Sequence, residues 1–581
     1  MATYYTDEVQ TQILVALLKA HGIRKVFASP GTTNMALVAS MSVDSHFEIY
    51  SVVDERSAAY MACGLAAELG EPVVISCTGA TASRNYVSGM TEAYYRKLPV
   101  LAITATQFTS RVGHHIAQVV DRSNIQNDVA RLSVTLPLAK DENDRWDCEM
   151  KINQAILELK RHGGGPVHIN LPTSYSKIYD VKELPQVRVL NRITLTDVFP
   201  KLPTGKKVAI FIGSHTPFSV AETESLDRFC AANDSVVFCD HTSGYKGKYR
   251  MPFSLVSCQQ DFDIPECRPE VLIHIGEITG DYYIHKYIGE QVWRVNVDGE
   301  IRDTFRKLRY VFEMPERGFF EHYADDDKPA QTNYLNLCKQ VLNMLREKIP
   351  ELPLSNPWLA SKMAHCIPEG STVHFGILNS LRSWNFFDLP NSVNSACNVG
   401  GFGIDGGLSS LLGASLADPN KLFFCMIGDL AFFYDMNSIG NRHVGKNLRI
   451  LLVNNGKGTE FRQYGHVAEH FGKTADTFIA AAGHFGNKSP KLVRHYAEDL
   501  GFEYMQALSK EEFEKSYERF LTPEITEQSM VFEVFTDSDD ESKALELIMT
   551  LEQSVKGRSK KIAKQILGKQ NLKTFKKIVG W

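Results

Sequence analysis

From Asp7 to His21 apolar residues recur at helical spacing, with Val9, Ile13, Leu14, Leu17 and Leu18 on one face, Thr6 placed as N-cap and Gly22 as stop. The period then changes. Lys25 to Ala28 reads as a strand that breaks at Ser29-Pro30-Gly31. The alternation continues with Ile49 to Val53 extended, Ala58 to Glu68 helical, Val73 to Cys77 extended, Tyr86 to Arg96 helical and Val100 to Thr104 extended. Strands separated by helices of this length predict a parallel sheet covered on both faces.

A second alternating block runs through Val208 to Gly213, Val236 to Cys239 and Val271 to Gly276, with few polar residues equipped for chemistry. A third holds two short apolar runs, Lys421 to Ile427 and Leu448 to Val453. Linkers are expected near Leu184-Pro185 and from Ile349 to Pro357, and 581 residues at roughly 150 per domain imply about three domains. The expected fold class is therefore α/β, with three domains, each a parallel sheet flanked by helices: residues 1–185, 186–350 and 351–545, followed by a basic amphipathic tail over 546–581.

Hydrophobic residues at 44% and charged residues at 23% are those of a globular protein, and a net charge of −5 gives no whole-molecule attraction to nucleic acid or anionic membrane. No run approaches the ~18 apolar residues of a membrane span, and Met1 to Glu8 lacks the basic-then-apolar order of a signal peptide, so a cytoplasmic location is expected. The 11 cysteines are scattered too widely for a CxxC metal clip and read as reduced core thiols.

Candidate chemistry concentrates where two strands of the third block end, at Gly428-Asp429-Leu430 and Asn454-Asn455-Gly456. Asp429 and Asn455 are 26 residues apart, room for a strand, a crossover helix and a neighbouring strand. Both side chains should then meet at the carboxyl edge of one sheet, where open α/β sheets bind ligands. Singly, each motif reads as a turn after a strand. Together they offer the oxygen ligands that Mg²⁺ takes alongside phosphates: Asp429, the Asn455 amide oxygen and a main-chain carbonyl at Lys457.

The pair resembles the diphosphate-binding motif of thiamine-diphosphate enzymes, and the resemblance extends through most of the chain. Val53-Asp54-Glu55-Arg56-Ser57-Ala58-Ala59 resembles their pyrimidine-domain segment, whose decisive glutamate falls on Glu55. In that family the carboxyl drives the aminopyrimidine to its imino tautomer, which deprotonates thiazolium C2. Cys77-Thr78-Gly79-Ala80-Thr81-Ala82, Asn85, Glu92 to Arg96, Gly403-Ile404-Asp405-Gly406 and Tyr434-Asp435-Met436-Asn437 are most similar to the family's menaquinone-pathway synthases.

The resemblance implies thiamine diphosphate and Mg²⁺ as cofactors. Pro30, Gly31, Thr32, Thr78, Gly79 and Asn85 would surround the pyrimidine end. Ile404, beside Gly403, would prop the cofactor in a bent shape, and Gly428, Asp429, Leu430, Ala431, Asn455, Lys457 and Gly458 would surround the diphosphate. It further implies a pyrimidine-binding domain to residue 185, a middle domain, a diphosphate-binding domain from 351, and active sites shared between subunits of a homodimer or homotetramer.

The sequence also departs from those synthases. They carry an arginine after a Ser-Pro-Gly-Ser run, where this chain has Thr32-Thr33, and another before the glycine that starts the Gly-Ile-Asp-Gly segment, where it reads Asn398-Val399-Gly400. Guanidinium groups are the usual bidentate clamps for carboxylates, so their loss argues against the synthases' own dicarboxylate substrates. Thr33, Arg382, Lys457, Glu460, Phe461 and Arg462 remain as substrate candidates, although exposed basic residues are more often simply solvated.

His114-His115 resembles the histidine pair that handles protons in pyruvate-type decarboxylases, and Gln118 resembles the synthases' glutamine; a solvated loop is the plainer reading. His466 and His470, four apart, have no visible third zinc ligand and read as surface or lid residues. The tail from Val555 to Trp581 interleaves nine Lys and Arg with apolar residues and contains no acid. It reads as a membrane-surface helix, which is not favoured, as a cover over the cofactor entrance, or as a solvated end. The expected activity is decarboxylation of a 2-oxo acid with transfer of the acyl anion equivalent to a carbonyl or alkene acceptor. Simple decarboxylation is the alternative. A catalytically silent cofactor-binding subunit is disfavoured by Glu55, Asp429 and Asn455 occurring together.

Overall fold

A computed structural model describes residues 4–122, 125–260, 262–281, 283–484 and 488–552, so the basic tail from 553 onward lies outside the described residues. The chain divides into two compact units, residues 1–199 with 298–313, and residues 200–297 with 314–581. Three parallel sheets flanked by helices organise it.

In the first unit the strand order is Glu48–Ser51, Lys25–Ala28, Val73–Thr78, Val100–Thr106, Val167–Pro172 and Leu132–Thr135, all parallel. Period-two alternation assigns the side chains to two cores. Val74, Leu101 and Ile103 join Ile13, Leu14 and Leu17 of the first helix on one face, while Val73, Ile75 and Cys77 join Ala58, Ala59 and Ala62 on the other. Each fully buried Val, Leu or Ile contributes about 1.5–3 kcal/mol, so two covered faces hold the strand ends in fixed register.

The first helix is Val9–Ala20, two residues shorter at its start than the periodicity predicts. Glu8 is the reason. Its buried carboxylate accepts from Gln10 Nε2 and from the Thr173 hydroxyl, Ser174 N–H and Ser176 N–H, so it pins a distant segment instead of entering the helix. The Thr6 hydroxyl accepts from the Glu8 N–H at 3.3 Å and its carbonyl from Gln12 Nε2 at 2.8 Å, and Glu8, not Thr6, occupies the N-cap position. Gly22, at φ +72°, lies just beyond the helix as expected.

In the second unit five parallel strands run in the order Arg250–Pro252, Val236–Cys239, Val208–Ile212, Val271–Ile275 and Gln291–Asn296. Six more run in the order Asn394–Cys397, Thr372–Phe375, Phe423–Gly428, Leu448–Asn454, Met530–Phe535 and Glu503–Ala507. All 11 cysteines are free: nine are buried, Cys397 is half-buried, and Cys366 is exposed rather than in a core. Among the described residues no helix is long and apolar enough to cross a membrane.

The helices Glu55–Leu69 and Val87–Tyr95 cross with almost no space between them. A Cβ on Gly89 would lie 2.4 Å from Ala59 Cβ, and Cys63 Sγ donates to the Gly89 carbonyl at 3.2 Å. Gly89→Ala is therefore expected to destabilise the protein by about 1–3 kcal/mol through overpacking. Urea unfolding measures it, and an unchanged midpoint would contradict the close approach.

Candidate active site

In the first unit Asp54 caps the helix Glu55–Leu69, accepting from the Arg56 N–H at 2.9 Å and the Ser57 N–H at 3.4 Å. The cap fixes Glu55 as the first helical residue, half-buried, one short loop after the strand Glu48–Ser51. Asn85, at the end of the helix Thr81–Asn85, donates its Nδ2 to Glu55 Oε2 at 3.1 Å. Two sequence candidates thus form one hydrogen-bonded pair.

The loop after Lys25–Ala28 lies against the end of the next strand. A Cβ on Gly31 would come within 2.7 Å of Thr78 Cβ, a contact only glycine allows. Thr33 Oγ1 donates to the Ala105 carbonyl at 3.0 Å, accepts from the Gly79 N–H at 3.3 Å and touches the Thr78 hydroxyl. Thr33 is therefore buried and joins strand ends, whereas Pro30, Gly31 and Thr32 are exposed. Ser29, Pro30, Gly31 and Asn34 line a cleft of about 350 Å³.

His114, His115 and Gln118 sit together on an exposed loop. His115 at φ +55° and Gln118 at φ +65° both adopt the left-handed conformation that residues with a Cβ rarely hold. Such strain concentrates at functional loops and costs of order 1–3 kcal/mol per residue.

In the second unit Phe423–Gly428 and Leu448–Asn454 are neighbouring parallel strands in register from Phe423 opposite Leu448 to Gly428 opposite Val453. Asp429 follows the first, buried, and the Asn455-Gly456 turn follows the second. Burial pushes the Asp429 carboxyl up to about 7, against the main-chain N–H groups of Leu430, Asp429, Gly456 and Asn455, which favour its charged form. Asn455 Oδ1 accepts from the Thr459 hydroxyl at 2.6 Å and the Lys457 carbonyl from the Thr459 N–H at 2.9 Å. Each oxygen retains a second lone pair, so carboxylate, amide and carbonyl fit a hard divalent cation, which would offset the cost of burying Asp429 charged.

Gly458 donates its N–H to the Ala480 carbonyl at 2.7 Å, and a Cβ there would lie 3.2 Å from Leu430 Cδ2, so candidates from both turns pack together. Gly428 and Ala431 flank Asp429 and Leu430 on the same segment. Gly403 and Ile404 lie on a separate loop before the helix Gly407–Ser415, and Ile404 is half-buried.

The basic substrate candidates are all ion-paired. Arg382 Nη2 meets Glu460 Oε1 at 2.6 Å, Lys457 Nζ meets Asp476 Oδ2 at 2.9 Å, and Arg462 bridges Asp476 and Asp539. Phe461 packs edge-on against His466, and His466 and His470 spend their Nδ1 atoms on local main-chain contacts.

Glu541 was not among the sequence candidates. Burial pushes its carboxyl up to about 7; hydrogen bonds from Thr536, the Asn356 N–H and Asn379 oppose this, and the charge of Asp429 adds to it. Asp539, Asp540 and Glu541 stand in the first turn of the helix Ser538–Met549. Glu541, Ala544, Leu545 and Ile548 nevertheless occupy one buried face of Ser538–Met549, and that spacing was the available signal.

The family described as thiamine pyrophosphate enzyme, N-terminal TPP binding domain, matches residues 10–125, the span that carries Glu55 and Asn85. A 2-succinyl-5-enolpyruvyl-6-hydroxy-3-cyclohexene-1-carboxylate synthase of Phocaeicola vulgatus is 32% identical over 568 residues, covering 93% of this chain and 98% of its own length. The protein of that name from Bacteroides fragilis is 31% identical over 563 residues with the same coverage, and that from Flavobacterium johnsoniae is 27% identical over 480 residues, 79% of this chain and 85% of its own length. The chain therefore belongs to the thiamine pyrophosphate-dependent enzymes of carbon–carbon bond chemistry, in the family of the 2-succinyl-5-enolpyruvyl-6-hydroxy-3-cyclohexene-1-carboxylate synthases.

Proposed function

We propose that this enzyme decarboxylates a 2-oxo acid and transfers the acyl anion equivalent to a carbonyl or activated alkene, using thiamine diphosphate anchored by Mg²⁺. The observation that carries the reading is the likeness over 93% of the chain to a relative named as a synthase. The buried Asp429 against the Asn455-Gly456 turn supports the metal. Asp429, the Asn455 amide oxygen and the Lys457 carbonyl would hold the ion, with Gly428, Leu430, Ala431 and Gly458 beside the diphosphate. Thiamine diphosphate, when bound, supplies a carbon nucleophile and an electron sink.

Glu55 holds a proton at the pyrimidine ring, and Asn85 orients its carboxyl. Pro30, Gly31, Thr32, Thr78 and Gly79 shape the pyrimidine end, while Gly403 and Ile404 support the cofactor's bend. His114 and His115 exchange protons with substrate from their strained loop, and Gln118 offers it a hydrogen bond. Arg382, Lys457 and Arg462 already have carboxylate partners, which favours substrates with fewer carboxylates than free arginines would serve; Glu460 and Phe461 in the second unit, and Thr33 in the first, are further substrate candidates.

The domain reading is a pyrimidine-binding domain over 1–185, a middle domain over 186–350 and a diphosphate-binding domain over 351–545. A homodimer or homotetramer in the cytoplasm goes with this reading on the family likeness, and exposed apolar side chains such as Val467 at 82% and Phe478 at 93% are available to a subunit interface. The exposed His114-His115 pair favours simple decarboxylation as the second reading.

Glu55→Ala should retain cofactor, read by quenching of intrinsic fluorescence, yet lose CO₂ release by about 10²-fold or more; undiminished turnover would remove the assigned role. Asp429→Ala should instead weaken cofactor retention, and wild-type enzyme stripped with EDTA should regain it on adding Mg²⁺. Equal retention in variant and wild type would count against Asp429 as the ligand. With a panel of 2-oxo acids, acceptor aldehydes and alkenes should divert the acyl unit into ligated product. Free aldehyde formed at the same rate and yield with every acceptor would select the decarboxylase.

A further inference from the structure

Arg122 is 4% exposed in the first unit, yet only part of its guanidinium is satisfied. Nη2 donates to Asn170 Oδ1 at 2.5 Å, while Nε and Nη1 are buried with no hydrogen-bond partner. These donors belong to a cavity whose polar lining is Ser83, Arg84, Tyr86, Thr104, Gln126 and His168, with no carboxylate among the described residues. The second cation there, Arg84, spends its Nη2 on the Asp121 carbonyl at 2.8 Å.

His168 contributes no charge. It is enclosed by the Thr104 and Ser133 hydroxyls at 2.7 and 2.8 Å, and burial, reinforced by Arg122 and Arg84, pushes its pKa down to about 3. Burial also lowers Arg122, to about 10, which leaves it cationic at neutral pH.

A buried charge without a counter-ion, carrying two unmade donors, is among the most costly arrangements a fold can hold. A water would satisfy donors but not charge. The cavity is partly open and offers about 30 Å³ for the centre of a bound particle. One water needs roughly 10–15 Å³ of such space, so the space beside the guanidinium suits a monatomic particle better than a phosphate or an organic acid. We infer that Arg122 binds a single halide, chloride under cellular conditions, between the buried, neutral His168 and the exposed Arg84 and Gln126 at the mouth of the cavity. The inference stands independently of the reaction proposed above. Its consequence is local: a Cβ on Gly79 would lie 3.3 Å from Arg122 Nη1, and Arg122 follows Gln118 by four residues, so the anion fixes the end of the loop that carries His114, His115 and Gln118.

The test uses holoenzyme with cofactor and Mg²⁺ gluconate, comparing thermal unfolding in potassium chloride, bromide and gluconate at equal ionic strength. Chloride and bromide should raise the midpoint saturably by about 2–4 °C over gluconate, and Arg122→Met should lose that difference. Crystals grown in bromide should show an anomalous peak within hydrogen-bond distance of Arg122 Nε. An equal halide effect in the Met variant, no saturable effect in wild type, or a water or a neighbouring subunit's carboxylate in the bromide position would overturn the inference. Should the Met variant not fold, the wild-type bromide map decides alone.

Discussion

Asp429 is where the registered ends of two parallel strands and one ionisable side chain meet, and the second unit is arranged around the cost of burying it. The strand pairing carries the Asn455-Gly456 turn to a place where its main-chain N–H groups approach the carboxylate. Those dipoles favour the charged form without fully offsetting desolvation. A divalent cation, as proposed, would complete the compensation, which ties the metal-binding reading to strand register: a one-residue slip would turn every side chain of the strand to the other face.

Around that point the charges are arranged in pairs. Arg382 with Glu460, and Lys457 and Arg462 with Asp476, place cations near the strand ends but not as free anion traps. The members of these pairs are half-buried, so removing one strands the other at less than the roughly 3–5 kcal/mol of a fully buried pair, and the residues are coupled to folding as well as to whatever binds beside them. Glu541 adds a second buried carboxyl to the same field, satisfied through Asn356, Asn379 and Thr536.

The first unit solves a different problem, that of placing one carboxyl accurately with little electrostatic help. Helix capping by Asp54, the near-contact of Gly89 with Ala59 and the hydrogen bond from Asn85 define Glu55 through packing and local hydrogen bonds. The neighbouring loop takes the opposite course, holding His115 and Gln118 in left-handed conformations that need support from their surroundings. An anion at Arg122 would provide part of that support.

The alternation of extended and helical periods in the sequence already determined a parallel α/β protein, because covered parallel strands must be continuously apolar and their crossovers amphipathic. The 26-residue spacing of Asp429 and Asn455 and the Val53–Ala59 segment likewise identified the family, since both depend on residue type and spacing along the chain. Contacts distant in sequence were decided only by tertiary structure. Glu8 leaves its helix for Thr173 and Ser174, Thr33 turns inward to Ala105, Glu541 buries its carboxyl, and Arg382, Lys457 and Arg462 acquire carboxylate partners 14 to 78 residues away. Linear patterning reports which face a side chain occupies. Whether that face meets a partner, and at what electrostatic cost, is set by elements that the chain brings together only on folding.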